Sequence, residues 1–130
     1  MKAVGHAPIP RRVGVKTFLR LAERWGLDRG DLHVLLGRNS PNTIRNWIKA
    51  ADHDRERDVR LEADVQERLS HLVAIYDGLH RLFGDAAYAD AWIRTENRAF
   101  GGQTPLSRML SGQFADLYEV RLYIERSIAA

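Results

Sequence analysis

The 130-residue sequence contains no cysteine, and this absence excludes a disulfide framework and any chemistry that needs a thiolate. It also contains no apolar run that approaches the roughly 20 residues of a membrane-spanning helix. The first residues lack the continuous apolar stretch that a secretory signal requires. These absences favour a protein that works in the reducing cytoplasm and has no membrane partner.

Arrangements of side chains that would support catalysis are missing as well. None of the histidines has the spacing of a metal site, and His71 and His80 fall on different faces of a helix. The acidic side chains of the stretch DHDRERD, residues 52–58, are typical of a solvated segment rather than of a catalytic pair. We therefore predict that the protein is not an enzyme and has no catalytic residues, no bound metal and no cofactor.

Charged side chains are distributed unequally along the chain. Residues 1–60 carry 13 basic and 7 acidic side chains, a net charge of +6, whereas residues 61–130 carry 7 basic and 10 acidic side chains, a net charge of −3. Uneven surface decoration would also produce this asymmetry. A basic half beside an acidic half nevertheless indicates two different partners, of which one is a polyanion.

Apolar residues recur at helical spacing throughout, and no strand-like alternation runs longer than a few residues, so we predict an all-α fold. The proline- and glycine-containing residues 1–14 are expected to form a flexible N-terminal arm. Three helices are predicted after it. The first ends at Gly26, the second is capped by Asp28, and the third begins at Ser40 and Pro41.

Residues 15–57 have the pattern of a helix-turn-helix, in which the third helix presents polar side chains to base edges. Arginine suits guanine and asparagine suits adenine, and cations at the helix ends suit phosphates. An ordinary three-helix bundle with a solvated polar face is the alternative, but the basic charge and the Trp47 anchor favour DNA. The predicted DNA-binding residues are Arg38, Asn39, Ser40, Asn42, Thr43, Arg45, Asn46 and Lys49.

The charged stretch 52–58 is the predicted joint to a second helical domain, residues 58–130. A long helix over residues 61–83 carries a wide apolar stripe, which favours packing against more than one element or against a second subunit. We therefore predict a homodimer formed by residues beyond the joint. Further helices are predicted at residues 86–94, capped by Asp85, and from the cap Thr104 and Pro105 to Gly112. A last helix is predicted over residues 113–127.

Part of the second half resembles a known family. The segments WIRTENRAFGGQTPLSRMLSG and ADLYEVRLYIE are similar to the toxin-binding domain of Xre/MbcA/ParS-type antitoxins. The pattern consists of a Trp, an Asn, a Gly-Gly step, a Thr-Pro-Leu helix start and a closing Gly. These positions are Trp92, Asn97, Gly101, Gly102, Thr104, Pro105, Leu106 and Gly112. The upstream residues 18–47 are similar to the Xre-like helix-turn-helix, and the resemblance covers roughly residues 15–126.

The resemblance implies an antitoxin of a type II system that binds a RES-domain, NAD-consuming toxin, forms a dimer, covers the toxin's NAD pocket and represses its own operon. A pocket for the NAD pyrophosphate needs cationic or N–H donor groups, so acidic side chains of the blocker suit its rim. The short tail after residue 127 would enter the cleft, unless the last helix simply completes the core. The predicted toxin-binding residues are Asn97, Gly101, Gly102, Asp116, Glu119, Glu125 and Ala130.

Two other interpretations of the residues stay open. The Gly-Gly step before Thr104 is either a sharp turn that needs no ligand or a loop that holds a phosphate, although it lacks the lysine and the length of a P-loop. The chain as a whole is an antitoxin and autorepressor, a helix-turn-helix regulator with a C-terminal dimerisation or effector domain, or an interaction module that has lost DNA binding.

Overall fold

All regular secondary structure in the described residues is helical, as the periodicity predicts. The computed structural model describes residues 11–37, 41–55 and 59–130, which contain seven α-helices and two 3-10 turns. The α-helices are α1 (Arg11–Arg24), α2 (Arg29–Leu35), α3 (Pro41–Asp52), α4 (Ala63–Leu82), α5 (Ala86–Ala91), α6 (Pro105–Met109) and α7 (Phe114–Ala129). The 3-10 turns lie at Trp92–Arg94 and Arg98–Phe100.

Several helices begin where a side chain caps them, and three of the predicted caps are confirmed. Asp28 accepts a hydrogen bond of 2.8 Å from the backbone N–H of Asp31, whose carboxylate accepts the N–H of Asp28 in return. Asp85 accepts two backbone N–H groups at the start of α5, and the Thr104 hydroxyl accepts one at the start of α6. The predicted cap Ser40 lies outside the described residues. These caps satisfy donors that the first helical turn leaves unpaired.

Two predicted boundaries are wrong by a few residues. Helix α1 begins at Arg11, so the predicted arm of residues 1–14 is too long. No proline lies between Pro10 and the end of α1 at Arg24, and Gly14 is buried inside the helix. Helix α7 continues to Ala129 instead of ending near residue 127. Ile128 is therefore part of the helix, where it packs against the core, and does not belong to a free tail.

Helix α4 is the central element of the fold. It packs against α1, α5 and α7, and its residues Leu69, Leu72, Ile75 and Leu79 are fully buried. Its wide apolar stripe is therefore covered within one chain. The stripe gives no argument for a second subunit, and the homodimer remains a prediction.

Helices α4 and α7 lie side by side and run in the same direction. The guanidinium of Arg68 lies 5.9 Å from the ring centre of Phe114, and the rings of His71 and Tyr118 lie 5.4 Å apart, centre to centre. Farther along, a Cβ atom added to Gly78 would lie 2.8 Å from Ile124. Glycine at position 78 therefore permits the close approach of the two helices.

The two halves of the chain share one hydrophobic core, because their buried side chains form a single cluster. Polar contacts also join them. Arg94 donates to the backbone oxygens of Trp25 and Gly26, at 2.7 and 3.2 Å, and so caps the C-terminal end of α1. Arg68 of α4 donates to the oxygen of Gly112 at 3.3 Å and lies beside Gly37, directly after α2.

Candidate functional site

Helix α3 presents a polar face to solvent over a buried apolar face. Asn42, Arg45, Asn46 and Lys49 are exposed and form what we call the α3 face. Thr43 is half-buried at its edge. Of the other predicted DNA-binding residues, Arg38, Asn39 and Ser40 lie outside the described residues.

The apolar face of α3 fixes the orientation of the α3 face. Ile44 is fully buried and Trp47 is 3% exposed, and the ring of Trp47 meets Phe18 of α1 edge-on at 5.9 Å between centres. An edge-to-face aromatic pair contributes about 0.5–1.5 kcal/mol beyond the burial of its surface. The polar side chains therefore project from a helix that is anchored to the core.

The chain turns sharply at the end of α3. The N–H of Arg55 donates to the oxygen of Ala50 at 2.6 Å, and the N–H of Asp54 donates to that of Ala51 at 3.1 Å. Asp54 adopts a left-handed conformation, with a φ of 55°, in which glycine is the usual residue. Lys16 of α1 bonds its carboxylate at 2.9 Å, and this hydrogen bond and the lysine charge lower the pKa of Asp54. The pair is exposed to solvent, so it positions the turn more than it stabilises the fold.

A second polar feature, residues 97–103, forms a closed turn that we call the Gly-Gly turn. The side chain of Asn97 accepts the N–H of Ala99 at 2.8 Å, and the backbone of Asn97 bonds both Gly102 and Gln103. Gly101 and Gly102 have φ values of 66° and 83°, and a Cβ atom on either would meet nothing within 4 Å. The glycines are therefore required by the backbone conformation and not by a close neighbour.

This geometry favours the interpretation of the Gly-Gly step as a turn without a ligand over its interpretation as a loop that holds a phosphate. Helix α6 after it is only five residues long, and the Thr104 hydroxyl already bonds the N–H of Ser107 at 3.0 Å. Because the Thr104 cap already occupies one of the free backbone N–H groups at the start of α6, few such groups remain to bind a phosphate.

An aromatic cluster lies beneath the Gly-Gly turn. Phe100 is buried, and its ring centre lies 6.4 Å from that of Trp92 and 5.2 Å from that of Tyr123, while Trp92 stacks on Tyr123 at 6.0 Å. The guanidinium of Arg108 covers Phe100 at 5.7 Å from the ring centre. The tryptophan of the sequence pattern thus has a structural role, because it helps to anchor the turn.

The predicted acidic residues of α7 are all paired within the chain. Arg108 lies 2.7 Å from Glu119 and 3.7 Å from Asp116. Glu125 bonds Arg121 at 2.8 Å, and the buried Arg121 in turn contacts His71 of α4 at 3.0 Å. A toxin cation that binds one of these carboxylates therefore competes with a cation of the chain itself.

The structure brings five of the seven predicted toxin-binding residues together. Arg108 contacts both Asp116 and Glu119 and covers Phe100, which lies between Asn97 and the glycines in the Gly-Gly turn. Glu125 lies on the side of α7 that faces α4, and Ala130 is exposed after the end of α7. Whether any of the seven contacts a toxin remains a prediction.

Residues 11–37, 41–55 and 59–130 contain neither a candidate metal site nor a candidate membrane span. No cluster there of three or more His, Asp or Glu side chains is arranged to hold a metal ion. No helix there has both the length and the apolar character needed to cross a membrane.

Comparison with known proteins gives two successive matches. Residues 4–74 match the family described as an antitoxin Xre-like helix-turn-helix domain, and residues 79–127 match the antitoxin Xre/MbcA/ParS C-terminal toxin-binding domain. The chain is also 39% identical, over 111 residues, to the "Uncharacterized protein y4oB" of Sinorhizobium fredii (strain NBRC 101917 / NGR234). That alignment covers 85% of this chain and 81% of the relative.

Proposed function

The chain belongs to the Xre/MbcA/ParS family of type II antitoxins, and from this premise we propose that it neutralises a RES-domain toxin that consumes NAD and that it represses its own operon. The observation that carries the proposal is the presence of two exposed polar surfaces, the α3 face and the Gly-Gly turn, in the two matched domains. The first suits operator DNA and the second suits a protein partner. We further propose that the protein acts in the cytoplasm and without catalysis of its own.

We propose that the toxin contacts the Gly-Gly turn and the neighbouring carboxylates Asp116 and Glu119. A pocket that binds the NAD pyrophosphate offers cationic or N–H donor groups. Glu119 has an ion-paired side chain that is still 46% exposed, so it has room to accept a second donor. Bound there, the antitoxin would cover the mouth of the NAD pocket. Glu125 and Ala130 would contact the toxin outside this patch.

The experiment for this proposal measures NAD. We expect the chain to co-purify with the product of the adjacent toxin gene and to stop the loss of NAD caused by the purified toxin. Gly102→Ala should weaken this protection, because a side chain in the left-handed conformation costs about 1–2 kcal/mol and distorts the turn. Gly84→Ala is the matched control, since its Cβ meets nothing within 4 Å and its φ is not positive.

The result distinguishes the antitoxin from a simpler regulator. If the adjacent gene product neither binds the chain nor consumes NAD, the proposed RES partner is wrong. The chain would then be a helix-turn-helix regulator whose C-terminal half binds something else. Equal protection by Gly102→Ala and wild type would place the toxin contact outside the Gly-Gly turn.

We also propose that the α3 face reads operator DNA as a homodimer, because a single helix-turn-helix contacts few bases and dimers read paired half-sites. Arg45→Ala should cost about 1–3 kcal/mol of specific binding if the guanidinium forks onto a base. Lys49→Ala should instead weaken binding evenly across sequences, since a phosphate contact carries no sequence information. Titration of the promoter region of its own operon measures both effects, together with the number of chains bound.

Wild-type affinity in both variants would mean that α3 is not the reading helix. Saturation at one chain per operator would contradict the homodimer and leave the assignment of α3 unaffected.

A further inference from the structure

A groove of about 700 Å³ continues from the α3 face around the end of that helix. The groove shares Asn46 and Lys49 with the α3 face, and Arg55 and Arg60 line it from beyond α3. We call it the basic groove, and the described residues that line it also include His53 and Val59. Of the described residues that line the basic groove, Lys49, Arg55 and Arg60 are positively charged and none is an aspartate or a glutamate.

At the end of α3, Asp52 and Asp54 lie apart from Arg55 and Arg60. Asp54 is held by Lys16 of α1, and Asp52 lines a different depression, which also contains Lys16. Arg55 and Arg60 are exposed, and neither forms an ion pair with another described residue. Asp52 and Asp54 therefore lie toward α1, whereas Arg55 and Arg60 lie on the side of the α3 face.

We propose that the basic groove binds the phosphate backbone of the operator next to the bases read by the α3 face, with Arg55 and Arg60 as two phosphate-binding residues. Phosphate contacts fix the register of a protein on the duplex, and arginine forms charge-assisted hydrogen bonds to phosphate oxygens. The groove shares two residues with the α3 face, so a duplex seated on that face passes it directly. This inference rests on the proposed operator binding and adds residues that lie after α3.

The ligand that suits the groove is a strand of phosphates and not an isolated anion. The side chains of Lys49, Arg55 and Arg60, together with that of His53, are distributed over the lining of an open groove. His53 bonds the backbone oxygen of Lys49 through Nδ1 at 2.9 Å, which fixes its ring against the helix end. Such a distribution follows the repeated charges of a nucleic acid backbone.

The test uses the full chain and a DNA fragment that contains the promoter region of its own operon. The dissociation constant is measured at several salt concentrations for wild type and for the double variant Arg55→Ala/Arg60→Ala. Each lost phosphate contact should lower the slope of log K against log salt concentration by about 0.9, so the double variant should lose about 1.8. Its affinity near 0.1 M salt should fall about tenfold or more, with unchanged preference between operator and unrelated DNA.

Two further double variants make the result specific. Arg81→Ala/Arg126→Ala removes two exposed arginines from α4 and α7 and changes the net charge equally, and it should keep the wild-type slope. Arg55→Lys/Arg60→Lys retains the charges and should recover most of the slope. A slope for Arg55→Ala/Arg60→Ala equal to that of wild type would overturn the inference, as would an equal loss in the Arg81→Ala/Arg126→Ala control. If the wild-type chain binds no promoter DNA, the proposed function itself fails, and the inference fails with it.

Discussion

A fragment that contains only residues 1–62 should be largely unfolded in water at room temperature, although it includes α1, α2 and α3. Helix α1 packs against α4, and the ring of Trp25 lies 6.0 Å from that of Tyr76. Removing α4 would expose this face of α1 to solvent. The fragment would also lose the hydrogen bonds from Arg94 that cap the end of α1. A domain of about 60 residues is only marginally stable even when its core is complete.

Far-ultraviolet circular dichroism during heating measures the helical content and so tests this expectation. The full chain should give a cooperative transition with a helical baseline, and the fragment should give a low helical signal without a transition. A fragment that melts cooperatively would show that the helix-turn-helix is an independent domain, as the predicted division at residues 52–58 suggests. The division remains a prediction about organisation, whereas the shared core is a feature of the structure.

Phe100→Ala should reduce the free energy of unfolding by about 3–5 kcal/mol, the usual cost of truncating a buried phenylalanine. Phe100 is 1% exposed and contacts the rings of Trp92 and Tyr123 and the guanidinium of Arg108. The same ring supports the Gly-Gly turn from below. We therefore expect the variant to lose protection of NAD even under conditions in which it remains folded.

Urea denaturation measures the free energy of unfolding of Phe100→Ala and of the control variant Tyr88→Ala. Tyr88 is 60% exposed and meets only the edge of Phe83 among the aromatic rings of the described residues, so its truncation should cost far less. A Phe100→Ala variant that loses less than 1 kcal/mol (about a fivefold change in the unfolding equilibrium) would contradict the role given to the aromatic cluster. If the destabilised but folded variant still protects NAD fully, the Gly-Gly turn is not part of the toxin interface.

The features that the sequence predicts well are local ones. Asp28, Asp85 and Thr104 bond backbone groups two or three residues away, so residue type and spacing are sufficient to identify them as caps. The apolar stripes of α1 and α3 are local in the same sense, because the helical period places their residues on one face. The exposure of Arg45 and Lys49 follows from that period.

The features that the sequence does not predict depend on residues far apart in the chain. The cap that Arg94 places on α1 joins positions 69 residues apart, and no local pattern marks it. Three acidic residues that are predicted to bind the toxin form ion pairs with Arg108 and Arg121 of the same chain. Arg55 has no helical pattern around it, and the left-handed Asp54 that positions it is not a glycine. The sequence feature that marks the region of Arg55 is the alternation of acidic and basic side chains in residues 52–58.

The parallel arrangement of α4 and α7 has a consequence for the rate at which the chain folds. Each helix forms on its own in about a microsecond, but the Arg121–His71 contact between them joins residues 50 positions apart. Contacts of such separation slow folding, because a long loop must close before they stabilise anything. We therefore expect α4 to form early and to keep its α7-facing stripe exposed until α7 docks. During that interval the chain would be helical but incompletely packed, and the exposed apolar stripe would favour aggregation over folding.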